Sequence, residues 1–212
     1  MQKIAPFFIL ISSLFFLKKP FKKCHFNTII TFDIMSINET HGFNKIKTFA
    51  NIAKQFCESQ YFDTEHCFLI DMSLPSGKNR FFVYDFNTDS IALQGNVCHG
   101  KKSIINGSNK LRYSNELFSN CTSLGKYKIG ARGKSKYGLG FNYVLHGLDK
   151  TNNNAFNRIV VLHSKDDVAN HEIYPITLVT SSGCPSVSNQ FLSKLDTVLI
   201  NKEKPVLLWI FE

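Results

Sequence analysis

Between Arg158 and Ser188 the chain reads RIVVLHSKDDVANHEIYPITLVTSSGCPSVS, an apolar run that ends on His163 and, 21 residues later, reaches Cys184 in Ser181-Ser182-Gly183-Cys184-Pro185. A thiol attacks a carbonyl as its thiolate, so a cysteine nucleophile needs a nearby base or positive field. His163 is the natural candidate base: a histidine at a strand end is held by the sheet while its ring projects at the sheet edge. Gly183, with no Cβ, lets a carbonyl substrate approach the backbone and permits unusual φ/ψ. The N–H groups of Gly183 and Cys184 can then face one developing oxyanion. Pro185 lacks an N–H and restricts Cys184 just before it.

The remaining cysteines and histidines add little chemistry. Cys57, Cys67, Cys98 and Cys121 read as core or disulfide residues, with Cys57–Cys67 and Cys98–Cys121 the pairings considered. His146, His163, His171 and Cys184 have the donor types for zinc but not the spacing of a usual ligand set, so no metal or cofactor is expected.

Several elements must hold these residues. Phe43, Ile46, Phe49, Ala50, Ala53 and Phe56 recur near helical spacing, which predicts a helix over Ser36–Ser59 packed on the body. Cys67–Met72, Arg80–Phe86 and Ser90–Cys98 read as strands, the last two joined by an Asn87–Asp89 turn. Further short strands are expected at Tyr127–Gly130, Phe141–His146, Arg158–His163, Ile176–Val179 and Val206–Phe211. The long loops Asn96–Tyr113 and Ser164–Tyr174 suit a functional rim. The reading is a mainly β body over 61–212, preceded by a helical segment at 36–60.

Composition supports a packed globular chain, with 43% hydrophobic and 13% aromatic residues among 212. Of the net charge of +9, five lysines precede Cys24 with no acidic residue among them, and removing them leaves a body of +4. That gives no reason to propose nucleic acid as a partner. Ile4–Leu17 is an almost unbroken apolar run behind Lys3, shorter than the about 20 residues of a membrane span. Residues 1–23 therefore read as a secretory signal or an uncleaved signal anchor, which implies export to the cell envelope, with membrane contact only through this segment.

The His163-Ser164 and Ser181-Ser182-Gly183-Cys184 pair resembles the L,D-transpeptidase catalytic domain of peptidoglycan enzymes, the YkuD-type fold, and more closely its murein variant. Ser123-Leu124-Gly125-Lys126-Tyr127-Lys128-Ile129 is similar to the strand that precedes the family's site. Leu145-His146-Gly147-Leu148, the turn Asn152–Asn154 and the Gly-Cys-Pro step resemble the murein variant in particular. Ser182 stands where much of the wider family has His.

The resemblance implies a β-sandwich or distorted barrel with an N-terminal helix. It implies peptidoglycan tetrapeptide stems as substrate, acylation of Cys184 with loss of D-alanine, and resolution by an amine or by water in the periplasm. His163 would be the base, oriented by the Ser164 carbonyl, with His146 the rival for that role, and with backbone N–H groups of Ser182, Gly183 and Cys184 at the oxyanion. Substrate contacts are expected from His146, Gly147, Ser181 and His99. A non-catalytic peptidoglycan-binding domain is the alternative from another class.

Overall fold

The computed structural model describes residues 26–212 other than residue 109, with side chains described from residue 42 on except that of Phe43. Residues His41–Glu212 make one compact unit. The signal or anchor read at 1–23 lies outside the described residues. No helix among the described residues is long and apolar enough to cross a membrane.

The first helix, α1, runs Phe26–Ser59 and so starts earlier than its apolar face suggests. The face itself is as spaced: Ile46, Ala50, Ala53 and Cys57 are buried, with Phe49 and Phe56 packed beside them. Seven strands follow in order: β1 (His66–Asp71), β2 (Phe81–Asp85), β3 (Ser90–Gly95), β4 (Gly125–Lys134), β5 (Phe141–Gly147), β6 (Val161–Ser164) and β7 (Ser186–Val187). Helix α2 (Asn189–Leu199) and strand β8 (Leu207–Phe211) close the chain.

All eight strands form one sheet, ordered β3-β2-β1-β8-β4-β5-β6-β7. The mainly β expectation therefore holds, as a single barrel-like sheet rather than two packed ones. The chain just beyond β3 reaches the far edge, where the Cys98 N–H donates to the Ser186 carbonyl at 2.8 Å. Gly100 and Ser181 bridge in parallel beside it. These bonds bring the start of the sheet to its end and nearly close it.

Each face has its own cover. Phe49 of α1 stacks on Phe211 with ring centroids 3.6 Å apart and meets Trp209 edge-on, sealing one face of β8. On the other face Phe191, Leu192, Leu195 and Leu199 of α2 join Phe68, Phe81, Tyr127, Leu145 and Leu162 in the main core. Burying a side chain of this size is worth about 1.5–3 kcal/mol. Helix α2 begins where the Ser188 side chain accepts from the Phe191 N–H, an N-cap of the usual kind.

Two expectations need correction. Ile176–Val179 is not a strand but irregular chain, with Ile176 exposed. Leu178 is buried at a surface pocket instead of pairing in the sheet, and Ile176 and Val179 face outward. The cysteine pairings are not formed either: Cys57, Cys67, Cys98, Cys121 and Cys184 are all free. Burial pushes the Cys57 thiol up to about 12 and the Cys98 thiol to about 11, which keeps both inert.

Candidate active site

Strand β6 is the site's base plate. His163 lies opposite Asn142 of β5 on one side and Ser186 of β7 on the other, so its backbone is held by two neighbouring strands. Its Nδ1 lies 2.9 Å from the Ser164 carbonyl oxygen and its Nε2 2.8 Å from Ser186 Oγ. A carbonyl only accepts, so Nδ1 carries the proton and Nε2 presents its lone pair to the Ser186 hydroxyl. Burial, with Lys165 adding to it, holds the imidazole below its usual range, against the Ser164 bond that pulls it up.

The Cys184 loop lies alongside the same strand. Its sulfur lies 3.7 Å from the Ile159 carbonyl oxygen, to which the thiol donates. Successive N–H groups alternate in direction along a strand, so those of Val161 and His163 point the same way, toward this loop. The His163 N–H reaches the Pro185 carbonyl at 3.4 Å. Burial raises the thiol above its ordinary range, while the Val161 N–H and the Arg158 charge pull it down. With the thiol raised and the imidazole lowered, both rest uncharged. Cys184 and His163 are not hydrogen-bonded to each other at rest: Ser186 occupies Nε2.

Loop shape comes from Ser181 and Gly183. Ser181 Oγ donates to the Cys184 carbonyl at 2.6 Å and accepts from the Gly183 N–H at 3.0 Å. Gly183 has φ +114°, and a Cβ there would lie 2.7 Å from the Cys121 carbonyl oxygen and 3.2 Å from Arg158 Nη2. The glycine is thus required by backbone geometry and by a close approach. One expectation changes: the Gly183 N–H is spent on Ser181 Oγ and does not face an oxyanion. The N–H groups of Ser182 and Cys184 have no internal partner among the described residues.

The other predicted contacts divide. His146, on β5, stacks on Phe156 with ring centroids 5.4 Å apart, and burial together with Lys128 lowers it. Gly147 is structural in its surroundings, since a Cβ would meet the Asn152 carbonyl at 1.9 Å. His99 is buried, its carbonyl accepting from the Ser181 N–H at 2.9 Å, and its ring lines a pocket beside the loop.

Three residues that sequence reasoning passed over complete the site. Arg158 donates to the carbonyls of Ser114 (3.0 Å) and Cys121 (2.6 Å), to Ser119 Oγ (3.2 Å) and to Ser123 Oγ, tying the 114–123 segment under Gly183. Ser186 caps His163. Tyr137, in the β4–β5 loop, has its ring 5.6 Å from that of His163. The same loop is anchored where the Leu139 N–H donates to Ser164 Oγ at 3.0 Å. Only the position of Ser186, two residues past Cys184, offered a signal in the sequence.

Fold and site together define a β-sheet protein with a histidine on the strand next to the sheet edge, beside a cysteine on a glycine-shaped loop. The family model described as the L,D-transpeptidase catalytic domain matches residues 39–209, and the chain belongs to that family. No curated protein matches the sequence.

Among solved structures the chain is similar to Bdellovibrio bacteriovorus Bd1075, at 17% identity over 72% of this chain and 49% of that one, with TM-score 0.43. It is also similar to the helical cell shape determining protein Pgp2 of Campylobacter jejuni, at 16% identity over 75% and 55%, with TM-score 0.41. A mutant Enterococcus faecium L,D-transpeptidase is similar at 12% identity over 69% and 50%, with TM-score 0.42. The chain spans about half the length of these solved chains.

Proposed function

We propose that the chain is an exported cysteine acyltransferase that acts on peptidoglycan tetrapeptide stems, with Cys184 as nucleophile and His163 as base. The observation that carries this reading is the alignment of both residues along β6: the His163 ring is set by the Ser164 carbonyl, and the Cys184 thiol lies against the Ile159 carbonyl just before that strand. Family membership supplies the substrate class.

Ser186 covers His163 Nε2 in the resting state. Its hydroxyl has a second acceptor, the Cys184 carbonyl, 3.4 Å away. When the hydroxyl hydrogen turns to that carbonyl, Nε2 is freed to take the Cys184 proton. The thiolate attacks the carbonyl carbon of the bond before the terminal D-alanine, and the N–H groups of Ser182 and Cys184 receive the oxyanion. Each well-placed donor of this kind is worth roughly 3–4 kcal/mol. Collapse breaks the C–N bond, His163 returns the proton to the departing D-alanine amine, and a thioester remains on Cys184. An amine of a second stem, deprotonated by His163, attacks the thioester to form a 3→3 crosslink and release the thiol.

Incubating the protein with disaccharide-tetrapeptide and weighing the products tests this reading. Crosslinked dimer is the expected product. Tripeptide instead identifies water as the acceptor, the L,D-carboxypeptidase outcome. Cys184→Ala and His163→Ala should each abolish product, and normal turnover by either variant would sink the assignment. The same incubation with no product from the unsubstituted protein would support a non-catalytic wall-binding domain.

A further inference from the structure

Beside the Cys184 loop lies a cavity of about 560 Å³, and a second hollow of about 380 Å³ adjoins it at Ile104. The larger one is bounded by the chain after β1, the 104–111 segment and the residues leading into Ser181, including Thr180. It touches the catalytic loop through His99, whose carbonyl accepts from the Ser181 N–H.

Charge in this cleft is one-sided. Arg80 and Lys110 line the larger cavity, and Lys101, Lys102 and Arg112 line the smaller. Neither is lined by an aspartate or a glutamate, and none of these five cations is in a salt bridge among the described residues. The lysines and Arg112 are exposed and solvated, but Arg80 is only 1% exposed. Its partners are all neutral: the Val97 carbonyl at 3.0 and 2.9 Å, the Leu74 carbonyl at 3.3 Å and His99 Nδ1 at 2.9 Å. Asp71, whose field also reaches Arg80, is engaged by Lys45 at 3.0 Å.

The histidine adds a second unmet demand. A guanidinium can only donate, so His99 Nδ1 must accept from it, and the ring proton therefore sits on Nε2. That Nε2 is buried and has no partner among the described residues. A buried cation whose hydrogen-bond partners are all neutral and a buried donor without an acceptor are each costly, the donor by about 1–3 kcal/mol. Such groups call for a completing partner, and the cavity beside them has room for an anionic one.

We propose that this cleft is a carboxylate-binding subsite, with Arg80 and His99 as its buried floor and Lys101, Lys102, Lys110 and Arg112 as its steering rim. The ligand is an acidic peptide whose carboxylate enters the larger cavity while its acylated bond lies at Cys184. The identity of that peptide as the substrate rests on the acyltransfer reading above, whereas carboxylate binding does not.

The test uses the whole chain and two probes of the same shape, N-acetylglycine and its neutral amide, titrated while backbone amide and histidine ring resonances are followed by NMR. The acid is expected to shift the resonances of His99 and the Arg80 side chain and to bind at least tenfold tighter than the amide. Added salt should weaken it. A variant carrying Lys101→Ala, Lys102→Ala and Arg112→Ala, all on exposed positions, should lose several-fold in affinity for the acid alone. His99→Gln, which keeps one acceptor and one donor, should bind the acid, and His99→Leu should not.

Equal response to acid and amide, or no response of these resonances to the acid, overturns the proposal whether or not the protein turns over stem peptides. Where turnover is present, N-acetylglycine raising KM without changing kcat identifies the substrate's own carboxylate as the occupant. Lowered kcat at unchanged KM identifies a separate carboxylate ligand.

Discussion

Replacing Gly183 by alanine separates a backbone requirement from a merely small residue. The position has φ +114°, where an L side chain costs roughly 1–2 kcal/mol. The new methyl would also sit 2.7 Å from the Cys121 carbonyl oxygen, a backbone atom whose neighbours are tied down by Arg158. Overpacking of that sort adds about 1–3 kcal/mol. Together these give a destabilisation of about 2–5 kcal/mol, or displacement of the Cys184 loop by enough to relieve the contact.

Gly107 supplies the comparison, because it has φ +74° with nothing within 4 Å of a built Cβ. Gly107→Ala should therefore cost only the backbone share, about 1–2 kcal/mol. Urea unfolding of both variants reads the difference. A displacement near 1 Å at the nucleophile costs about a hundredfold in rate, so the acylation rate of Gly183→Ala, followed as the mass of the Cys184 thioester, should fall by about that factor. If Gly183→Ala proves as stable as Gly107→Ala and acylates at the unsubstituted rate, the close approach to Cys121 does not shape the site.

Arg158→Met should destabilise the protein by about 3 kcal/mol, since it leaves the Ser114 and Cys121 carbonyls without their charged donor, and it should slow acylation by loosening the segment under Gly183; thermal unfolding together with acylation kinetics checks both. A pH effect is expected from His99, which burial and Arg80 hold at about 4 instead of the ordinary 6.5. The unfolded chain then takes up the proton first as pH falls, so this stability is complete above pH 6.5 and is lost progressively toward pH 4, by about 2 kcal/mol at pH 5. His99→Gln should flatten the difference in urea midpoint between pH 7.5 and pH 5, and an unchanged difference would count against a neutral, buried His99.

Local pattern carried much of the architecture. Alternating and continuous apolar runs marked the strands at Cys67–Met72, Arg80–Phe86 and Phe141–His146, because a buried strand face must be apolar at each inward position. The α1 face was legible for the same reason. Helix α2 was equally open to reading, with Ser188 as cap and Phe191, Leu192, Leu195 and Leu199 at helical spacing, but no element is assigned there from the sequence. Ile176–Val179 shows the opposite failure: four β-prone letters carry no information about whether a partner strand lies alongside.

What the sequence by itself determined is the setting of two groups, His163 at a strand end and Cys184 behind a glycine, because both depend on residue type and short spacing. Tertiary structure alone decided what surrounds them. Ser186 faces His163 Nε2 through parallel pairing of β6 with β7, and Arg158 reaches under Gly183 from the far side of the 114–123 segment. Arg80 meets His99 only because the chain after β3 turns toward the last strand edge. Such contacts join residues distant along the chain, and their selection rests on closing the sheet and satisfying buried polar groups, neither of which a local window of sequence contains.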